Sequence, residues 1–411
     1  MHYEPKPGRL GDVLGRGKAR SGGGAPVAPV APAAPASSAT SASTATPTLL
    51  AASASTAMPA SPAAPAAVEA RELANRKSRS KRRRREAWIA ALYVLPALAL
   101  LVAFRFWPLA FGAWMSLWKW GFVPEEFVGF GNYARIFLEE IVYYDPLFGW
   151  QPGPIGQSLI VTVYYAVGTI PIALALSFVI AYVLYLNVPG KGLLRTIFFL
   201  PFITSQVAAA IVFKWIVHPN VGIANAVLGA LGLPAQMWLT DPDPLLVKAV
   251  QGLGGEWPAW LPTALGGPTL ALVIIMIFSI WGSLGFNIVV FMAGLANVPK
   301  ELYEAARIDG ARTVHTMRHV TLPLVSPMLF LLGIVSVIGA FESFNAFYVF
   351  SGGEGGPLGS TMSFPLYIFR SFYVYGQVGY AAAASMTLFG ILLLLSWLQF
   401  RLGEKRVHYQ R

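Results

Sequence analysis

The sequence predicts an all-α, polytopic membrane protein with six transmembrane helices behind a disordered N-terminal tail. Three observations carry this. Of 411 residues, 55% are apolar and only 12% are charged, about half the charge of an ordinary soluble domain. Such a chain cannot cover a water-facing surface of its size. Six segments are apolar enough to span a bilayer, which takes about 20 residues at 1.5 Å each. Lysine and arginine cluster in alternate connections between those segments.

The expected spans are 87–104, 159–186, 196–213, 269–295, 324–341 and 381–400. The first continues past Arg105, which can snorkel to the outer interface. The fifth is expected to run on to about Phe350. Basic residues lie at 71–86, at Lys191 and Arg195, at Lys300, Arg307, Arg312 and Arg318, and at Arg401, Lys405, Arg406 and Arg411. The other connections are acidic: Glu125, Glu126, Glu139, Glu140 and Asp145, then Asp241, Asp243 and Glu256, then Glu354. Six spans with both termini cytoplasmic satisfy the positive-inside rule at every loop. Trp107, Trp114, Trp118 and Trp120 suit an outer aromatic belt.

Residues 1–70 are rich in Ala, Pro, Ser and Thr. They show no apolar period and predict a disordered tail, passive or tethering. Residues 71–86 hold nine Lys or Arg. Directly before a span, such a run anchors topology on anionic membrane lipid and is not expected to bind nucleic acid. The six-span membrane domain is then 87–411.

Most catalytic chemistries find no residues here. There is no cysteine, so thiolate metal sites and cysteine nucleophiles are excluded. His315 and His319 share helical spacing but no HExxH surrounds them, so no metal site is expected. Neither GxxxxGK[ST] nor GxSxG occurs, so this chain holds no P-loop nucleotide and no serine triad.

The informative connection is 297–323, between spans four and five. Pro299 suits a first helical position, with Glu301 and Glu304 near the positive end of the dipole. Gly310 supplies a left-handed stop. A second, basic helix follows from about Ala311 to Thr321, and Pro323 sets the entry to span five. On physics alone this is a docking surface or an ordinary amphipathic interfacial helix.

The string Glu304-Ala305-Ala306, Gly310, Val320 and Leu322-Pro323 resembles the EAA loop of ATP-binding-cassette importer permeases, with Val320 where that pattern usually has Ile. The run Glu301 to Ala311 resembles the carbohydrate-uptake branch. So do Gly129-Phe-Gly-Asn-Tyr133, Gly192 to Pro201, Trp281-Gly-Ser-Leu-Gly-Phe-Asn287, Tyr348 to Gly353 and Gly379 to Ser385. The resemblance implies a type I importer permease that pairs with a second permease, usually as a heterodimer. Two cytoplasmic ATP-binding subunits would dock on the EAA loops, holding ATP and Mg that this chain does not bind. An extracytoplasmic solute-binding protein would deliver a sugar or sugar-like solute.

Glu342 is the only acid within a span, on the outer part of the fifth. With Asn345 on the same face, it lines the translocation path, makes a buried structural hydrogen bond, or is an interfacial carboxylate. Asn287, Gln206 and Ser205 are further candidates, with helix–helix hydrogen bonding as the competing role, because polar residues also join helices. The alternative class is a secondary transporter, which needs intramembrane coupling carboxylates and finds only Glu342.

Overall fold

The computed structural model describes Arg82 and residues 85–403, apart from 122, 147–148, 187–188 and 259. The tail at 1–70, most of the basic segment 71–86, and Lys405, Arg406 and Arg411 lie outside the described residues. The unit that follows Arg83 is helical.

The first span, α1, is Arg85–Met115, a single 31-residue helix with its most apolar stretch wholly unburied. At 1.5 Å per residue it reaches about 46 Å. An apolar helix exposed all round is solvated by lipid or by a partner. Arg105 does not mark its end. It sits in a π-helical turn, Val102–Phe106, closed by the Trp107 amide on the Val102 carbonyl. Pro108 has no N–H to donate, and the wider turn accommodates that loss.

Two hairpins follow, β1 Trp118–Trp120 with β2 Pro124–Phe127, and β3 Val142–Asp145 with β4 Gly149–Pro152. Trp114 packs on Trp118 and Trp120 at ring-centre distances of 5.5 and 5.3 Å, so the tryptophans form one cluster. Asn132 holds the junction: its side-chain amide donates to the Ser116 and Trp118 carbonyls at 2.8 and 3.0 Å. Between the hairpins the chain makes a helical turn, Gly131–Ala134, continuing as π-helix Arg135–Glu139.

The second span, α2, is Pro154–Tyr185. The third is not continuous. Helices α3, Lys191–Ile203, and α4, Gln206–Ile216, meet at a 98° bend. Pro201 removes one helical hydrogen bond, and Thr204 and Ser205 turn to extended ψ, so the helix breaks there. Short helices α5, Ile223–Ala230, and α6, Leu245–Gly252, fill the next connection. The fourth span, α7, is Leu270–Ala296, capped by Thr269, whose hydroxyl accepts from the Leu272 amide as expected of an N-cap threonine.

The 297–323 connection is two helices, as its punctuation predicts. The first, α8, is Lys300–Ile308, with Pro299 as its N-cap and not its first residue. The second, α9, is Thr313–Leu324, and α10, Ser326–Phe341, departs from it at 69°. The fifth span also differs from expectation. It stops at Phe341, and a separate helix α11, Asn345–Ser351, follows the break at Glu342–Phe344. Helix α12, Phe364–Tyr373, precedes the last span α13, Val378–Gly403.

Helices α2 and α7 are the centre of the bundle. Tyr165, Phe278, Phe347 and Phe364 fill one end of its core. Phe178, Phe291, Leu295, Val298 and Val325 fill the end beside α8.

Candidate functional site

A cavity of about 540 Å³ lies against α2, α7 and the two broken spans. The breaks supply its polar groups. Gln206 opens α4 directly after the first break. Glu342 caps α10 and Asn345 opens α11, on either side of the second break. Asn287, on α7, is only 4% exposed. All four candidate path residues line this one cavity, and Ser205 does not.

Each break leaves helical groups to be satisfied, and in a bilayer that must happen within protein or water. Thr204 Oγ1 donates to the Leu200 carbonyl at 2.8 Å. The Ser343 carbonyl accepts from Ser363 Oγ at 3.3 Å, and Ser343 Oγ donates to the Tyr165 hydroxyl at 3.4 Å. Among the described residues, Glu342 and Asn345 make no such tie, and both are exposed to the cavity.

Aromatic rings line the remaining wall: Tyr165, Phe202, Phe278, Trp281, Phe286 and Phe344. Sequence alone does not mark them, because an aromatic in a span is ordinary. A signal that could have found this wall lies in α7. Ser279, Ser283 and Asn287 recur every four residues and share one helical face, and all three line the cavity. Ring faces with nearby amides and hydroxyls suit a compact solute that has both apolar faces and hydroxyl groups.

The second candidate surface is α8 and α9. Gly310 has φ +72°, and the Ala311 amide reaches back to the Ala306 carbonyl at 2.9 Å. That 6→1 bond with a left-handed glycine is the Schellman ending. Glu304 and Ala305 are exposed, but Ala306 is buried. It lines a groove of about 560 Å³ with Gly310, His315, His319 and Val320. Leu322 is exposed and Pro323 half-buried. Ile308 and Val314, which no sequence motif singles out, present apolar side chains that are 86% and 69% exposed. Tyr303 fastens α8 to the bundle: its hydroxyl lies 3.3 Å from Thr321 Oγ1, and its ring packs beside Tyr185. Burial pushes its phenol up, with the Thr321 hydrogen bond opposing and Tyr185 and Tyr182 adding.

A third cluster departs from the sequence expectation. Glu140, counted among the exposed loop acids, is buried at 8% exposure. It accepts from Arg135 Nε at 2.7 Å, from the Tyr367 hydroxyl at 2.7 Å and from the Tyr380 hydroxyl. Arg135 also lies over the Tyr380 ring and donates to Gln377 at 3.1 Å. The tyrosines are far away in sequence, so only the fold reveals the cluster.

A many-span helical protein with broken helices around a central cavity is a solute-conducting membrane component. The chain belongs to the family described as binding-protein-dependent transport system inner membrane component, whose model matches residues 148–408. It is the permease subunit of such a system. It is 32% identical over 77% of its length to the lactose transport system permease protein LacF of Rhizobium radiobacter, covering 94% of that protein. It is 29% identical to the sn-glycerol-3-phosphate transport system permease protein UgpA of Agrobacterium fabrum, over 77% of this chain and 95% of the relative. A solved bacterial ABC transporter for import of the acidic polysaccharide alginate shares the fold, with TM-score 0.61 at 18% identity, over 80% of this chain and 99% of that one.

Proposed function

We propose that the chain is one half of a heterodimeric permease, importing a sugar or sugar-like solute through the cavity at the two span breaks. The observation that carries this reading is the convergence of Gln206, Asn287, Glu342 and Asn345 on one cavity with aromatic walls. Alternating access around a site built from discontinuous helices is how many transporters move solute. The names of the relatives point to the same solute class.

The energy comes from partners. Two ATP-binding subunits, carrying ATP and Mg, dock on the EAA loops of the permease pair, one of them on this chain's α8–α9 surface through Glu304, Ala305, Gly310, Val320, Leu322 and Pro323, with Ala306 setting the groove floor. An extracytoplasmic solute-binding protein loads the other end. The basic residues at Lys191, Arg195, Lys300, Arg307, Arg312 and Arg318 support a cytoplasmic side for that surface and for both termini. Residues 71–86 anchor the first span on anionic lipid, and 1–70 form a passive tail.

The test is co-purification of the full chain with its ATP-binding partner, followed by ATP hydrolysis in lipid vesicles. Saccharide-stimulated hydrolysis with uptake is expected. Uptake that proceeds with no nucleotide and no ATP-binding subunit would establish the secondary-transporter alternative instead.

A further inference from the structure

The relatives named above move neutral and anionic solutes, so family membership leaves the charge class of the cargo open. The cavity itself bears on it. Among the described residues, its lining contains one acid, Glu342, and no Lys, Arg or His. The nearest elements turn their cations elsewhere. Lys214, at the far end of α4, donates to the Val349 carbonyl at 3.3 Å. Arg370 of α12 donates to the Gly353 carbonyl at 2.8 Å.

We propose that Glu342 is a charge-selecting residue, so that the path accepts neutral or ammonium-bearing saccharides and rejects phosphorylated or uronic ones. This rests on the cavity being the saccharide path. Three observations favour it. Glu342 sits at the helix break, exposed to the cavity. No ion pair neutralises it among the described residues. The other polar lining groups that face the space, such as Gln206, Asn345 and Ser283, are neutral. An anionic solute entering here would leave water beside a like charge with no counter-ion. Within a poorly solvated site that repulsion exceeds its value in water several-fold, and like-charge juxtaposition is a strong device against wrong ligands. An ammonium group would instead gain a partner.

The experiment uses the full chain in lipid nanodiscs and reads tryptophan fluorescence, because Trp281 lines the cavity. Three probes share one ring: glucose, glucosamine and glucose 6-phosphate. A Trp281→Phe variant identifies the cavity signal. The expected result is that glucose and glucosamine bind and that glucose 6-phosphate binds at least about tenfold more weakly. Glu342→Gln should close most of that gap, and Glu342→Asp should keep it. Equal binding of glucose and glucose 6-phosphate by the native chain, or an unchanged gap in Glu342→Gln, overturns the selection. If no probe gives a Trp281-dependent signal, the saccharide reading of the cavity falls, and the selection with it. Should Glu342→Gln not insert, the pair Glu342→Asp and Glu342→Asn decides the question: the gap should persist in the first and close in the second, and a gap of the same size in both overturns the selection.

Discussion

Tyr367 donates its hydroxyl to Glu140 at 2.7 Å across 227 residues of sequence. That bond ties the segment before α2 to the helix before α13. Arg135 and Tyr380 complete the set, so three donors converge on one buried carboxylate.

Glu140→Ala should therefore destabilise the protein by about 2 kcal/mol, as expected for charge-assisted hydrogen bonds. The roughly 3–5 kcal/mol of a wholly buried pair is too high, because the Arg135 side chain keeps 42% of its exposure. Thermal unfolding in detergent reads the loss. Glu140→Gln, which can still accept, should lose less.

The same cluster has a pH signature. Burial, with smaller contributions from Glu140, pushes the Tyr367 phenol up from 10.0 to about 12, while the Tyr380 hydrogen bond and Arg135 oppose. The fold favours the neutral phenol. Its contribution is whole below about pH 10 and is lost as pH rises through about 12. Tyr367→Phe should remove that alkaline component of the stability profile. An unchanged decline between about pH 10 and 12 would assign it to other groups.

A Cβ at Gly285 would lie 2.9 Å from the Phe198 carbonyl oxygen and 3.0 Å from the Phe202 Cβ. The two helices approach nearly backbone to backbone there, which only a small residue permits. Gly285→Leu should cost about 1–3 kcal/mol by overpacking and displace the cavity wall that carries Phe202. Lower membrane yield and weaker uptake are expected. Native behaviour of both would deny the close approach.

The apolar segments were legible because lipid leaves few options for a spanning backbone. Gly310 was legible because a glycine between two helix signals has few roles besides ending the first. The breaks at Thr204–Ser205 and Glu342–Phe344 were not. Each lies inside an apolar run, and what sustains it is tertiary, such as the Ser363 hydroxyl on the Ser343 carbonyl. Glu140 was hidden because a loop acid is normally solvated. Its burial depends on Tyr367 and Tyr380, which no local window contains. Polarity marked the candidate path residues, of which Gln206, Asn287, Glu342 and Asn345 line one cavity and Ser205 does not.

Gly310 has φ +72°, and nothing lies within 4 Å of where a Cβ would stand. A substitution there is opposed by backbone strain and not by crowding. Gly310→Val should cost about 1–2 kcal/mol at the turn and tilt α8 against α9. The spans do not depend on this turn. The protein should insert at normal yield while the ATP-binding partner dissociates and uptake stops. A variant that keeps its partner and transports normally would refute the docking assignment.

The chain has no cysteine, so a single introduced thiol can be followed without background. Asn345→Cys, in the assembled transporter, should react with a membrane-impermeant thiol reagent, and the solute that stimulates ATP hydrolysis should slow that reaction. Leu394→Cys, on an exposed apolar face of α13, should stay unlabelled in the bilayer. Solute protection at Asn345 places the cargo in the cavity. Labelling at Asn345 that saturating solute leaves unchanged, while uptake continues, would contradict the account.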